Sequence, residues 1–231
     1  MGDIWILTGT ALTIGFLHTL LGPDHYLPFI VMSKASQWSM FKTIWITVLA
    51  GLGHVLSSVL VGIIGIAAGI AIAEIEFFEG FRGNLAAWAF IIFGAGYLIW
   101  GIYKAVKNKP HKHLHFHEDG SIHEHEHTHE LQHKHQHKSI TPWILFTIFF
   151  LGPCEPLVPI LMYPAATSSV WGTVIVTTAF SLATIGTMTL IVILATFGIK
   201  IIKTDKLERY MHAIAGATIM LAGMAIQFLG L

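Results

Sequence analysis

Ligand-type side chains surround a helix-breaking pair near the start of the chain. His18 and His25 lie seven residues apart, about two helical turns, with Gly22, Pro23 and Asp24 between them. Pro23 has no backbone N–H group, so a helix ends or kinks near it. Neutral imidazole is a common ligand of transition metals, and a carboxylate adds the negative charge that a dication needs. The spacing therefore predicts a polar site that includes His18, Asp24 and His25.

Two later segments carry side chains of the same kind. His54 follows Gly51-Leu52-Gly53 deep inside an apolar run, and these glycines allow a neighbouring helix to come close. The segment Gly152-Pro153-Cys154-Glu155 repeats the Gly-Pro pair, adds a thiol and a carboxylate, and precedes two more prolines, which predicts another helix break. We predict one metal site with ligands drawn from both halves of the chain: His18, Asp24, His25, His54, Cys154 and Glu155.

Each of these residues also has a simpler interpretation. A single intramembrane histidine is more often a hydrogen-bond donor between helices than a ligand, and Cys154 alone is equally well a small packing residue. An Asp at the bilayer centre costs about 2.5–3.5 kcal/mol unless something offsets it. The grouping of such residues at two matched breaks favours a functional polar centre. We assign Gly94-Ala95-Gly96 and Gly216-Ala217 to helix packing.

The composition places these residues in a membrane protein. The chain is 54% hydrophobic and 11% charged, and its mean hydropathy is +0.68, far from the values of a soluble domain. A spanning helix needs about 20 mostly apolar residues. Six stretches meet this condition: 4–21, 43–72, 86–106, 141–163, 169–199 and 210–231. We predict an all-α integral membrane protein with six transmembrane helices, the first of which is a retained helix and not a signal peptide.

The two halves of the chain resemble each other. A shift of 130 residues places Gly22-Pro23-Asp24-His25 on Gly152-Pro153-Cys154-Glu155. With three helices in each half, the second copy enters the membrane from the opposite face, an arrangement typical of transporters. The sequence predicts two inverted three-helix repeats with broken first helices, over residues 1–106 and 139–231.

The segment between the halves, residues 107–138, is polar, low in complexity and rich in histidine. We predict a disordered cytoplasmic loop that offers many weak sites for nickel, cobalt, zinc or copper, or, alternatively, a plain solvated spacer. Its eleven histidines are His111, His113, His115, His117, His123, His125, His127, His129, His133, His135 and His137.

The charges and the single cysteine set further limits. Twelve of the thirteen Lys and Arg residues fall in the predicted connections on one side, so this side is cytoplasmic and both termini lie outside a prokaryotic plasma membrane. A net charge of zero gives no sign of a nucleic-acid partner. Cys154 is the only cysteine, which excludes a disulfide within the chain and dithiol electron transfer.

The motifs together resemble a known family. His18 to His25 with Asp24, then Gly53-His54, and Gly152-Pro153-Cys154-Glu155-Pro156 after a histidine-rich loop resemble the nickel/cobalt transporter family of the NicO and urease-accessory UreH type, in the LysE-type superfamily. The resemblance implies a six-helix secondary transporter of divalent transition-metal ions, nickel or cobalt first and zinc or iron next. It implies that His18, Asp24 and His25 bind the ion, although five residues separate His18 from Asp24 where the family has four.

We therefore predict proton-coupled efflux of a divalent metal, with no enzymatic activity and no permanently bound cofactor. The expected partners are lipid, divalent metal ions and a cytoplasmic metallochaperone. The alternatives are a membrane protein for metal storage or metallochaperone work, and an exporter of small anions. The Pro-Cys segment also resembles the membrane electron-transfer proteins of the cytochrome-biogenesis thiol pathway. Those proteins need a second cysteine where this chain has Asp24, so we accept a related fold and reject that function.

Overall fold

The computed structural model describes residues 2–107, 111–116, 122–127, 140–166, 170–201 and 207–230. Within these residues the fold is helical apart from one pair of strands. The helices are α1 Gly2–Leu21, α2 Leu27–Ala35, α3 Met40–Ala67, α4 Ile72–Lys107, α5 Thr141–Leu151, α6 Leu157–Ala166, α7 Val170–Ile201 and α8 Met211–Leu229. Short 3-10 turns at Pro23–His25 and Glu208–Tyr210 precede α2 and α8, and the strands are β1 His111–Phe116 and β2 Ile122–His127.

Among the described residues, five helices are long and apolar enough to cross a membrane. They are Ile4–Leu21, Met40–Ala67, Ile72–Lys107, Val170–Ile199 and Glu208–Leu229. Their outer faces carry large apolar side chains, such as Trp5 at 74%, Phe77 at 80% and Trp171 at 78% exposure. So much exposed apolar surface suits hydrocarbon and not water. The chain is therefore a multi-pass integral membrane protein whose helices contact the lipid bilayer.

The prediction of six transmembrane helices differs from the structure at the fourth stretch, residues 141–163, where the sequence also predicts a helix break. There the chain forms two short helices, α5 and α6, neither of which is long enough to cross a membrane alone. Gly152 N–H closes α5 on the carbonyl of Ile148 at 2.9 Å, and Pro153 and Pro156 have no N–H group with which to continue the helix. The Gly-Pro pair at Gly22 likewise ends α1 one residue earlier, at Leu21.

The histidine-rich segment contains the two strands. β1 and β2 pair antiparallel, with His111 opposite His127 and Phe116 opposite Ile122. The sequence predicts a disordered loop over residues 107–138, but in β1 and β2 histidine alternates with other residues, a period of two that suits a strand. Residues 108–110, 117–121 and 128–139 lie outside the described part of the chain.

α4 and α8 pack so closely that their backbones touch. A Cβ atom at Gly94 would lie 2.4 Å from the backbone nitrogen of Met220, and one at Gly216 would lie 2.2 Å from that of Leu98. Real Cβ contacts are much longer than this, so only glycine fits at these two positions. The prediction of helix packing is confirmed at Gly94 and Gly216 and not at Gly96, where a Cβ atom would meet nothing within 4 Å. α4 and α8 thus form a closely packed wall of the fold.

An aromatic core ties this wall to the helix breaks. The ring of Phe149 in α5 lies 4.7 Å from Phe29 in α2 and 5.9 Å from Phe90 in α4, centroid to centroid. All three side chains are buried. Phe149 thus anchors the last turn of α5, immediately before the second break, between α2 and α4.

Replacing Gly216 with alanine tests the tight α4–α8 contact. The added methyl group must push against the backbone of α4, and we expect a loss of stability of about 1–3 kcal/mol. The matched control is Gly96→Ala, where nothing lies within 4 Å of the new Cβ atom. Alanine favours helix over glycine by about 1 kcal/mol, so the control should be neutral or stabilising. Thermal unfolding of both variants in detergent checks this, and equal midpoints would contradict the packing.

Candidate functional site

Three histidines from separate parts of the fold meet in the interior. One ring nitrogen each of His18, His25 and His54 lies within 4.8 Å of the others, the only such group of three His, Cys, Asp or Glu in the part of the chain described here. The ring centroids are 4.7 Å apart for His18 and His25 and 5.2 Å for His25 and His54, with the rings nearly perpendicular. His25 and His54 are 4% and 5% exposed. This is the spacing of a metal-binding group.

The first break places two of these histidines. Gly22 N–H donates to the carbonyl of His18 at 3.0 Å and ends α1, and His25 N–H donates to the carbonyl of Gly22 at 3.1 Å. The chain thereby folds back in a short 3-10 turn that places His25 against His18. A Cβ atom at Gly22 would lie 2.6 Å from Nδ1 of His25, so a side chain there would displace the ring.

The second break holds the third histidine. His54, in the middle of α3, donates from Nδ1 to the carbonyl of Phe149 at 3.3 Å. Gly152 passes close by, and a Cβ atom there would lie 3.4 Å from the same nitrogen. His54 therefore links α3 to the end of α5 and faces the first break through His25.

The hydrogen bonds fix which ring nitrogens are free. The carbonyls of Gly22 and Phe149 can only accept, so Nδ1 of His25 and of His54 carries the proton in each neutral ring. Nε2 of His25 and of His54 then holds a lone pair. Nε2 of His18, His25 and His54 is buried and has no hydrogen-bond partner among the described residues. Three such atoms are an unusual cost for a folded protein, and one metal ion would bind them all.

A cavity of about 600 Å³ opens beside the three rings. Its other walls include Asn84 of α4, Glu155 of the second break and Gln227 of α8. Oε1 of Gln227 is also buried without a partner among the described residues. The motif search missed Asn84 and Gln227, because single amides in apolar helices have no spacing that marks them.

The other three predicted ligands have different environments. Asp24 lies beside His25, with Oδ1 3.2 Å from Nδ1, so it orients and balances the ring from the side away from the free nitrogen. Cys154 is fully buried and packs in an apolar cluster with Val55, Leu157 and Phe180. Glu155 is exposed and lines the cavity. The structure thus brings the histidines together, adds Asp24 as a supporting group, and leaves Cys154 and Glu155 outside the cluster.

A second polar network crosses the fold at the second break. Arg82 of α4 pairs with Glu79 one turn earlier, and both side chains are buried. Arg82 also donates from Nη2 to Ser57 Oγ at 2.7 Å and to the carbonyl of Phe150 at 2.9 Å. Ser58 Oγ donates to Glu79 at 2.8 Å. The sequence prediction left residues 73–85 outside the membrane helices, although Glu and Arg three residues apart in an apolar context are a signal for a buried pair.

Fold and site define a multi-pass membrane protein with an intramembrane polar centre at two helix breaks. The family model for the cytochrome C biogenesis protein transmembrane region matches residues 27–225, which is most of the chain. The chain belongs to this family. No curated protein and no solved structure matches it.

This membership corrects two predictions. The resemblance to the nickel/cobalt transporter family rested on a few motif residues, whereas the family match extends over residues 27–225, and the predicted family is wrong. The predicted function, efflux of a divalent metal, is wrong with it, because the family points to cytochrome c biogenesis and thiol-redox transfer. The storage, metallochaperone and anion-export alternatives fit no better. The match supports the other resemblance, that of the Pro-Cys segment to the cytochrome-biogenesis membrane proteins, from which we expect a related fold.

The environment of Cys154 predicts a shielded thiol. Its side chain is 0% exposed and its N–H group donates to Ser58 Oγ at 2.9 Å, so an alkylating reagent can reach it only when the break opens. We expect N-ethylmaleimide to label the folded protein about a hundredfold or more slowly than the protein unfolded in dodecyl sulfate. A Glu76→Cys, Cys154→Ala variant, with its thiol at an exposed position, is the control and should react at once. Fast labelling of native Cys154 would contradict the shielding.

Proposed function

We propose that this protein is a membrane redox protein of the cytochrome c biogenesis class whose working group is a transition-metal ion bound by His18, His25 and His54. The proposal rests on one observation: three buried Nε2 atoms lie close together, and none of them has a hydrogen-bond partner among the described residues. Each lone pair left without a partner in the membrane interior is costly. A bound ion removes the cost at all three positions together.

The single cysteine favours a metal over a thiol pair. Transfer of reducing equivalents by thiol–disulfide exchange needs two thiols that can pair, and this chain has one. That one, Cys154, lies in an apolar cluster with its side chain fully buried. An ion with two accessible oxidation states, such as copper or iron, supplies one-electron chemistry without a second thiol.

The chain contributes orientation, charge and enclosure at such a centre. Gly22 O and Phe149 O hold His25 and His54 by their Nδ1 protons, so Nε2 of each ring faces the site. Asp24 supplies one negative charge beside His25, which partly balances a cation. The three histidines line the cavity, so an ion held by them would be accessible from it.

The arrangement of the helices in the membrane is a further part of the proposal. We infer six crossings, in which α1 with α2 and α5 with α6 each form one broken span, as two inverted repeats. Helix packing supports this: α1 packs on α7 and α5 packs on α3, so the first helix of each half contacts the second helix of the other. The excess of Lys and Arg on one side orients that side to the cytoplasm.

Metal content of the purified protein tests the centre. We expect wild-type protein loaded with Co²⁺ or Cu²⁺ and passed over a chelating column to retain about one ion per chain more than the His54→Ala variant. Both proteins carry the same histidine-rich segment, so its uptake cancels. His212→Gln is the control, because His212 lies away from the cluster and contacts Tyr97 and Lys104.

Redox titration of the copper-loaded protein tests the function. The electron paramagnetic resonance signal of bound Cu²⁺ should disappear on reduction and return on oxidation in wild type and in Cys154→Ala. The component of the signal that comes from the centre should be absent in His25→Ala, which lacks a ligand, so that only Cu²⁺ on the histidine-rich segment contributes. Equal metal retention by wild type and the histidine variants would refute the centre. A retained ion that does not cycle would refute the redox role alone.

A further inference from the structure

We propose that Glu79, Arg82, Ser57 and Ser58 form a frame that positions His54 at the metal centre. This proposal rests on the proposed function, because it assumes that the centre binds metal. None of the described hydrogen bonds of these four residues reaches a free ring nitrogen or the first break. They act on the second break, and through it on His54.

The second break leaves backbone groups that need partners inside the protein. The last carbonyls of a helix have no intrahelical donor, and no water is available within hydrocarbon. Arg82 Nη2 supplies the carbonyl of Phe150 at 2.9 Å, and Ser58 Oγ accepts from the N–H group of Cys154 at 2.9 Å. The side chains of α3 and α4 thus hold both sides of the break. Phe150 is the residue before the last residue of α5, and Cys154 lies two residues after Gly152.

The charges in the frame satisfy each other. Glu79 receives Arg82 on one oxygen and Ser58 Oγ on the other, at 2.8 Å for the serine. Arg82 in turn donates to Ser57 Oγ at 2.7 Å. A buried pair with these hydrogen bonds tolerates the membrane interior, whereas removal of one partner leaves an uncompensated charge. The pair is therefore fixed in one geometry and can serve as a reference point for its neighbours.

The frame reaches His54 by two routes. Ser57 Oγ donates to the carbonyl of His54 at 2.8 Å while it accepts from Arg82, which ties the backbone of α3 at His54 to α4. The ring of His54 donates to the carbonyl of Phe149, whose neighbouring carbonyl, at Phe150, is held by Arg82. Because both the backbone and the ring acceptor of His54 depend on Arg82, the direction of its Nε2 does too.

Arg82→Gln and Arg82→Lys in the full chain test the frame. With Arg82→Gln we expect a 10–100-fold loss of Co²⁺ affinity and a shifted ligand-field band, although all three ligands remain. Lysine keeps the charge opposite Glu79 but lacks the fork that reaches Ser57 and Phe150 together, so Arg82→Lys should recover only part of the affinity. The control is Glu76→Gln, a neutralisation at an exposed position of the same helix, which should leave both the affinity and the band unchanged.

A readout without metal keeps the frame testable by itself. Arg82→Gln should open the second break and raise the rate of maleimide labelling of Cys154 at least tenfold, and Glu76→Gln should not. If Arg82→Gln fails to fold, Ser57→Ala is the milder variant, since it keeps the ion pair and removes the two hydrogen bonds of Ser57 Oγ, to the His54 carbonyl and from Arg82. It should lower Co²⁺ affinity about tenfold.

The outcomes separate the two proposals. Wild-type protein with no Co²⁺ band refutes the metal centre, and the positioning role with it. A wild-type band that stays the same in folded Arg82→Gln and Ser57→Ala overturns the frame and leaves the centre standing. A loss of affinity in Glu76→Gln equal to that in Arg82→Gln also overturns it, because a substitution outside the frame would then have the same effect as one within it.

Discussion

The structure depends on one constraint: every backbone polar group inside a bilayer needs a partner within the protein. Two Gly-Pro pairs end the helices α1 and α5 and interrupt the backbone hydrogen bonding of each. At the first break, His25 turns back and donates to the carbonyl of Gly22. At the second, His54 and Arg82 donate to the carbonyls of Phe149 and Phe150. Two of these hydrogen bonds, those from His25 and His54, therefore also orient the histidine rings.

The two breaks differ in the groups that supply their hydrogen bonds. The first uses groups close in sequence, between Gly22 and His25. The second uses a charged pair and two serines from α3 and α4, which are distant from it in the sequence. His54 belongs to both, since its ring bonds to the second break and faces His25 of the first. The geometry of the centre therefore depends on the packing of α3 against α5 as well as on the first break.

The sequence predicts the breaks and the approach of His18 to His25 because their causes are local, whereas the position of His54 depends on its contact with Phe149, 95 residues away. Proline removes a donor wherever it occurs, and His18 and His25 are placed by a short turn. It does not predict that Cys154 faces an apolar cluster, since its direction depends on α3 and α7, far away in the chain. It misassigns Glu79 and Arg82 as residues outside the membrane helices, because hydropathy averages a stretch and cannot see that two charges cancel. The family prediction was wrong because it rested on a motif of few residues, whereas the family match extends over residues 27–225.

Family membership here constrains the fold more than the chemistry of the site. A helical scaffold with two facing breaks can carry different reactive groups, because the breaks supply the cavity and the pairing while a few side chains supply the reactivity. This chain has Asp24 beside the first break and one shielded cysteine at the second, so a thiol pair cannot form between them. What the same two breaks bring together instead is three imidazoles whose buried Nε2 atoms have no hydrogen-bond partner among the described residues. A redox role retained on this scaffold must therefore use a group that imidazoles hold, and a metal ion is the one whose ligands are already aligned.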